Sequence, residues 1–128
     1  MGEFHTYKEF DYSYAYNMGG SGKIRAHYGK YSNTTGSAQT KTIELGFEPQ
    51  YMAMMNSASG LAIYCKDRDS TRFQSAGAGG AVSWTNFSSS NGSGTFGLKL
   101  DTGFTFKLNT SRTVWYIAIG VEPDVLTD

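Results

Sequence analysis

Residues 95–108 read TFGLKLDTGFTFKL, and this stretch decides the fold class. On both sides of Asp101-Thr102-Gly103, apolar residues occupy every second position, which is the pattern of two β-strands that each bury one face. The Asp-x-Gly connection is typical of a tight turn, and it predicts a bulged three-residue loop in which Gly103 adopts a positive φ. The stretch therefore predicts an antiparallel β-hairpin.

Two further segments repeat this alternation. Their apolar members are Ile24, Ala26 and Tyr28 in the first segment, and Ile43, Leu45 and Phe47 in the second. The polar members of the first segment, Lys23, Arg25 and His27, are predicted to face solvent. No window of ten or more residues has apolar positions at helical spacing without an interrupting glycine. We therefore predict an all-β fold, a jelly-roll-like antiparallel β-sandwich of seven to nine short strands.

Length and charge limit the classes of partner. The chain has 128 residues, enough for one compact domain. Its 11 basic and 11 acidic side chains cancel, so no strong positive field attracts the phosphates of nucleic acid or of anionic lipid. No run approaches the 18 apolar residues that a membrane-spanning helix needs. We expect neither a nucleic-acid partner nor insertion into a membrane.

Glycine and proline divide the chain into three predicted parts. Residues 1–22 are interpreted as an N-terminal arm or a segment that connects to a longer shaft, because alternating tyrosines are followed there by a glycine-rich break at residues 19–22. Residues 23–121 are predicted to form the sandwich. Residues 122–128, which include Pro123, are predicted to form a C-terminal tail.

Three segments, at residues 51–55, 61–64 and 114–119, are apolar on both faces. A strand without a polar face must be covered twice, either by two layers of its own fold or by another subunit. A small sandwich can cover few strands in this way, so we predict a homo-oligomer; the alternative is a central strand sealed by loops. The residues predicted to form the subunit interface are Tyr12, Tyr14, Tyr16, Met52, Met54 and Tyr116.

The sequence is poor in the groups that catalysis and metal binding need. The only histidines are His5 and His27, too few for a metal site of the usual histidine and cysteine type. The one cysteine, Cys65, lies in an apolar run and is interpreted as a buried structural thiol. Asp67 and Asp69 have the spacing of a partial calcium loop, but we interpret them as part of a solvated turn. We predict no enzyme, no cofactor and no metal.

Aromatic, amide and hydroxyl side chains are abundant, with 9 Tyr, 8 Phe and 2 Trp. Aromatic rings stack on the CH faces of sugars, and Asn and Ser side chains hydrogen-bond to hydroxyl groups. The glycine- and serine-rich region between residues 75 and 94 is interpreted as long loops around one short strand. The residues predicted to bind a ligand there and just upstream are Arg72, Trp84, Asn86, Phe87 and Asn91. The alternative is that Trp84 and Phe87 pack a loop onto the sandwich.

A wider pattern resembles a module of bacteriophage tail-fibre and other virion structural proteins. The residues that carry the resemblance are Gly29-Lys30-Tyr31, then Gly36, then TIELGFEPQY at residues 42–51, and finally DTGF at residues 101–104 with VWYIA at residues 114–118. In this chain Gly46 allows an unusual backbone angle, Phe47 is predicted to enter the core, and Pro49 cannot donate to a ladder, so the chain is predicted to turn from one sheet into the next.

The resemblance implies a non-enzymatic β-sandwich that is made in the bacterial cytoplasm and exposed on a virion tail. It also implies a homotrimer that binds a host-surface glycan or protein. We therefore expect a phage tail-fibre or receptor-binding tip domain. Two alternatives are a purely structural virion protein whose loops bind nothing, and a secreted carbohydrate-binding module; a trimer in solution favours the virion proteins, and a monomer favours the secreted module.

Overall fold

In a computed structural model the chain is described at residues 4–10, 22–77 and 79–123, with side chains at residues 24–77 and 79–121. These residues form ten strands, and the first lies in the predicted arm. The strands are β1 (Phe4–Phe10), β2 (Gly22–Ser32), β3 (Gln39–Glu44), β4 (Pro49–Asn56), β5 (Leu61–Cys65), β6 (Arg72–Ala76), β7 (Val82–Asn86), β8 (Phe96–Leu100), β9 (Gly103–Leu108) and β10 (Thr113–Pro123). The predicted all-β, sandwich-like class is confirmed.

The strands form a large sheet and a small sheet. The large sheet has the order β1-β2-β10-β4-β5-β6-β7, and the small sheet has the order β3-β9-β8. Neighbouring strands in both sheets are antiparallel. β1 of the predicted arm pairs with β2, so part of that segment extends the large sheet. The predicted boundaries of the arm, the sandwich and the tail stay predictions.

Aromatic rings fill the space between the two sheets. Phe73, Phe96 and Phe104 are fully buried and touch edge to face, with ring centroids 5.3 and 5.5 Å apart. Phe104 makes a further edge contact with Tyr116 at 5.5 Å. Such pairs contribute about 0.5–1.5 kcal/mol each beyond the burial of their area. This aromatic chain joins the small sheet to the large one.

The hairpin predicted at residues 95–108 is present as β8 and β9, but its predicted loop is wrong. Leu100 pairs directly with Gly103, so the loop has two residues, Asp101 and Thr102. Gly103 does not have a positive φ. A glycine is needed there for a different reason, because a Cβ would collide with the backbone carbonyl oxygen of Ile43 in the neighbouring strand β3.

The strand corner predicted around Gly46 is confirmed. Gly46 has a φ of 81°, a left-handed conformation that suits glycine. Its N–H donates to the Glu44 carboxylate at 3.1 Å, and Phe47 is 3% exposed in the core. The chain leaves β3 of the small sheet here and enters β4 of the large sheet at Pro49.

The predicted solvent face of β2 is wrong for Arg25 and His27. His27 is buried on the side of the large sheet that faces the small one, with its Nε2 3.4 Å from the Tyr116 hydroxyl. The Arg25 guanidinium lies 5.5 Å from the ring centroid of Phe47 on that same side. Rings that attract a cation or an imidazole line this end of the interior, which favours the inward position of Arg25 and His27. Tyr28 points to the opposite face and is 37% exposed.

Candidate functional site

The face of the large sheet that points away from the small sheet, here called the outer face, is the candidate functional site. Residues directly opposite each other on neighbouring strands share a face, so cross-strand pairs identify its members. One row across the sheet comprises Lys30, Trp115, Met55, Leu61, Ala76 and Val82. A second row comprises Tyr28, Ile117, Ala53, Ile63, Gln74 and Trp84. Both rows cross six strands from β2 to β7.

The outer face carries nearly all of the exposed large apolar side chains in the described part of the chain. Of nine such residues, eight lie on it: Tyr28, Tyr51, Met55, Leu61, Ile63, Val82, Trp115 and Ile117. The ninth, Leu98, lies on β8 of the small sheet. The small sheet instead presents Thr40, Thr42, Thr105 and Lys107 on its own outer side. The two sheets therefore differ sharply, because only the large one is apolar on both faces.

The apolar patch is continuous rather than scattered. Six strands at the usual spacing span roughly 24 Å, and two neighbouring positions on one face of a strand are roughly 7 Å apart. Shallow grooves run between Trp115, Met55 and Leu61, and between Tyr51, Ile63 and Ile117. Contiguous apolar surface of this extent marks an interaction site in soluble proteins.

The structure corrects the predicted subunit interface. Met52, Met54 and Tyr116 are 2%, 1% and 4% exposed, because they face the small sheet and belong to the core. These side chains are not available to a second subunit, so their assignment to the interface is wrong. Their chain neighbours, including Tyr51, Met55 and Trp115, are the exposed members of the same strands. The other predicted interface residues, Tyr12, Tyr14 and Tyr16, lie outside the described residues.

The free thiol of Cys65 also lies on this face. Cys65 is half-buried, not fully buried as predicted, and it pairs with Tyr51 across β5 and β4. Tyr51 in turn pairs with Ile119 of β10, so the three residues continue the apolar surface.

Three of the predicted ligand-binding residues come together at the β7 edge of the outer face. Asn86 of β7 is directly opposite Arg72 of β6, and Trp84 is opposite Gln74. The guanidinium carbon of Arg72 lies 4.8 Å from the centroid of the Trp84 ring system. Arg68, from the turn between β5 and β6, brings a second guanidinium carbon to 5.0 Å from the same centroid. Arg68, Arg72, Gln74, Trp84 and Asn86 are called the rim cluster below.

The other two predicted ligand-binding residues serve the fold. Phe87 turns inward, and its ring lies 5.0 Å from that of Phe73 and 5.3 Å from that of Tyr64. The Asn91 side-chain amide donates to the carbonyl oxygens of Asn86 and Phe96, at 2.9 and 3.0 Å. These contacts favour a role in loop packing over ligand binding for both residues. The alternative of loop packing is right for Phe87 and wrong for Trp84, which lies half-buried on the outer face.

A carboxylate fixes the position of Arg72 in the rim cluster. Nε and Nη2 of Arg72 both lie 2.8 Å from Oδ2 of Asp69. Oδ1 of Asp69 accepts hydrogen bonds from the backbone N–H and the hydroxyl of Thr71, each at 2.9 Å. The bonds from Thr71 and Arg72 lower the pKa of the Asp69 carboxyl to about 2. Asp69 therefore stays ionised at neutral pH and holds the guanidinium in place.

Arg68 and Gln74 were not anticipated from the sequence. Arg68 belongs to the alternating charges of residues 66–69, a pattern typical of a solvated turn. Only the proximity of that turn to β7 brings Arg68 to Trp84. The described residues contain no group of three or more His, Cys, Asp or Glu side chains placed to hold a metal ion.

Comparison of the chain with protein-family models, with curated proteins and with solved structures gives no match. Among the residues that the structure describes, no helix has the length and apolar character that a membrane span requires. The outer face and its rim cluster are therefore the features of the molecule that bear on its function.

Proposed function

We propose that this protein is a non-enzymatic tail-fibre or receptor-binding tip domain of a bacteriophage. In this proposal it is made in the bacterial cytoplasm, assembles as a homo-oligomer on the virion tail, and binds a glycan or protein of the host-cell surface. The observation that carries the proposal is the apolar outer face of the large sheet. The resemblance of residues 29–120 to phage tail-fibre modules supplies the biological setting.

The composition of the outer face supports self-association. Apart from Lys30 at the β2 end of the first row, its two rows contain no charged residue. Cores of protein interfaces are depleted in charge and enriched in Tyr, Trp and Met, as this face is. A second copy of the chain is the one partner that is always present at matching concentration and carries a matching apolar surface.

The area of the outer face also supports self-association. The six strands that the two rows cross, at the usual spacing and about 20 Å long, give a flat area of roughly 500–600 Å². A stable interface buries about 800 Å² on each partner, and side-chain relief and neighbouring turns add to the flat area. The outer face is therefore large enough to hold subunits together. We propose a trimer, the state that the family resemblance implies.

The rim cluster supports a binding role for the assembled protein. It lies at β7, the edge strand of the large sheet, where a polar rim surrounds an apolar interface. Several weak sites on one rigid assembly bind a cell surface much more tightly than a single site does, because each further contact is intramolecular.

The mass of the full chain in solution tests the proposal. Native mass spectrometry and light scattering are expected to give three times the 14.0 kDa mass of the chain. A well-behaved single chain at micromolar concentration would overturn the assembly. A stable trimer that fails to adsorb to any bacterial surface would instead favour a purely structural virion protein, which the structural roles of Phe87 and Asn91 also favour.

A further inference from the structure

We infer that the rim cluster binds an acidic saccharide, through a carboxylate on one of its sugar units. This inference names the ligand class of the proposed host-binding site and rests on that proposed function. It is carried by the Arg68 guanidinium, which lies over an aromatic ring, has no carboxylate partner among the residues that the structure describes, and is flanked by exposed amides.

Arg68 is the first carboxylate-binding group. It is exposed, and its guanidinium carbon lies 5.0 Å from the Trp84 ring centroid. Among the described residues it forms no ion pair with any carboxylate. A guanidinium over a ring keeps its N–H edge free, and that edge matches a carboxylate with two parallel hydrogen bonds.

Arg72 is the second donor, and its position is set in advance. Asp69 engages Nε and Nη2 of Arg72, which leaves the N–H groups of Nη1 available. Because Asp69 and Trp84 already order this side chain, binding costs little of its conformational entropy. The two guanidinium carbons lie 5.0 and 4.8 Å from the same ring centroid, so both groups of donors belong to one cluster around Trp84.

The occupied Trp84 ring argues for an acidic sugar over a neutral one. A neutral pyranose binds an aromatic shelf through its CH face, and here two guanidinium groups compete for that ring. The exposed side chains of Gln74 and Asn86 lie on the same face, where their amide groups can pair with sugar hydroxyls. A ligand with one carboxylate and several hydroxyls satisfies all of these groups.

The charges near the cluster favour a singly charged sugar unit over a polyanion. Asp69 neutralises Arg72, and the exposed carboxylate of Asp67 lies next to Arg68 in the chain. The whole chain has a formal charge of zero. A polyphosphate or heavily sulfated chain would therefore meet no extended positive surface.

A panel of matched sugars tests this inference on the full-length protein. The panel contains oligosaccharides with galacturonic, glucuronic or sialic acid, each beside its carboxyl-reduced counterpart, and binding is measured by ligand-observed NMR and calorimetry. At least one acidic member is expected to bind ten times or more as tightly as its reduced counterpart. Higher salt is expected to weaken that binding.

Two substitutions that each remove one positive charge test whether the sugar binds at the rim cluster. Arg68→Gln is expected to weaken binding of the acidic sugar at least tenfold. Arg112→Gln, which removes an exposed arginine from the turn before β10, is expected to leave binding unchanged. Circular dichroism confirms that both variants fold.

The inference is overturned if no acidic sugar binds, if the reduced sugars bind equally well, or if Arg68→Gln binds like the unmodified protein. The mass in solution distinguishes a failure of the proposed ligand class from a failure of the proposed assembly. A trimer that binds none of the panel overturns the ligand class alone, whereas a single chain that binds acidic sugars overturns the assembly alone.

Discussion

Trp115 of β10 lies directly opposite Met55 of β4 on the outer face, and their side chains are 42% and 55% exposed. Their chain neighbours Tyr116 and Met54 are also directly opposite each other, yet they are 4% and 1% exposed. One pair of strands thus presents two apolar surfaces. The core covers the surface that Tyr116 and Met54 form, and the surface that Trp115 and Met55 form is the one that the proposed second subunit would cover.

A charge at the centre of the outer face is expected to dissociate the assembly. Ile63→Arg would place an unpaired guanidinium in an apolar interface, at a cost of several kcal/mol. Light scattering is expected to give the mass of a single chain. Leu98→Arg is the matched control, because Leu98 is 40% exposed on the small sheet and Ile63 is 49% exposed on the large one. Unchanged mass for Ile63→Arg would contradict an interface on this face.

The Cys65 thiol is expected to report coverage of the same face. It is half-buried beside Tyr51, so a second subunit over the outer face would shield it from a thiol reagent. We expect the unmodified protein to react at least about tenfold more slowly, under native conditions, than a Trp115→Arg variant, which places its charge in the same apolar face but two rows away from the thiol. Equal rates would show that nothing covers this part of β5. Unfolded protein provides the rate of the fully accessible thiol.

Alternating sequence could predict strands, but not which face of a doubly apolar strand enters the core. At residues 43–47 the two parities differ in polarity and the apolar one is buried, whereas at residues 51–55 every position is apolar. A shift by one residue exchanges the two faces, and period-two analysis cannot choose between them there. The inward position of Met52 and Met54 is set by packing against the small sheet, which only the tertiary structure reveals.

The candidate site was predictable where it followed a hairpin and not where it depended on a loop. Arg72, Trp84 and Asn86 come together because β6 and β7 pair directly. Phe87 follows β7 by one residue and turns into the core, where three aromatic rings surround it. Arg68 reaches Trp84 only through the path of a turn, and its sequence neighbourhood carries no sign of that contact.

We expect the buried Asn33 side chain to stabilise the loop before β3. It is 1% exposed, and its amide donates to the carbonyl oxygens of Leu108 and Ser37 at 2.8 and 3.0 Å. Asn33→Ala would leave the buried Leu108 carbonyl without this donor, so we expect a loss of about 2–3 kcal/mol in the free energy of unfolding. Urea denaturation measures it. The exposed Asn109→Ala control is expected to change stability by less than about 0.5 kcal/mol, and equal losses would refute the role of Asn33.

The strand corner is expected to require glycine at residue 46. Gly46→Ala must place a Cβ at a φ of 81°, which costs about 1–2 kcal/mol. Gly36→Ala is the control, since Gly36 has no positive φ and a Cβ there would meet no atom within 4 Å. Gly36→Ala is expected to be neutral or stabilising, because alanine restricts the unfolded chain. If the denaturation midpoints of Gly46→Ala and Gly36→Ala fall by the same amount, this account of the corner is wrong.

The ion pair between Asp69 and Arg72 is expected to make the stability of the fold depend on pH between about pH 4 and pH 2. Folding lowers the pKa of the Asp69 carboxyl from 3.8 to about 2, so its contribution is present above about pH 4 and is lost as the pH falls toward 2. Asp69→Asn should therefore lower the melting temperature at neutral pH, and its difference from the unmodified protein should shrink toward pH 2. Glu44 and Glu48, whose pKa values are also lowered, remain in both proteins and cancel from this difference. A melting-temperature difference that is the same at pH 7 and pH 2 would mean that the carboxylate charge does not stabilise the fold.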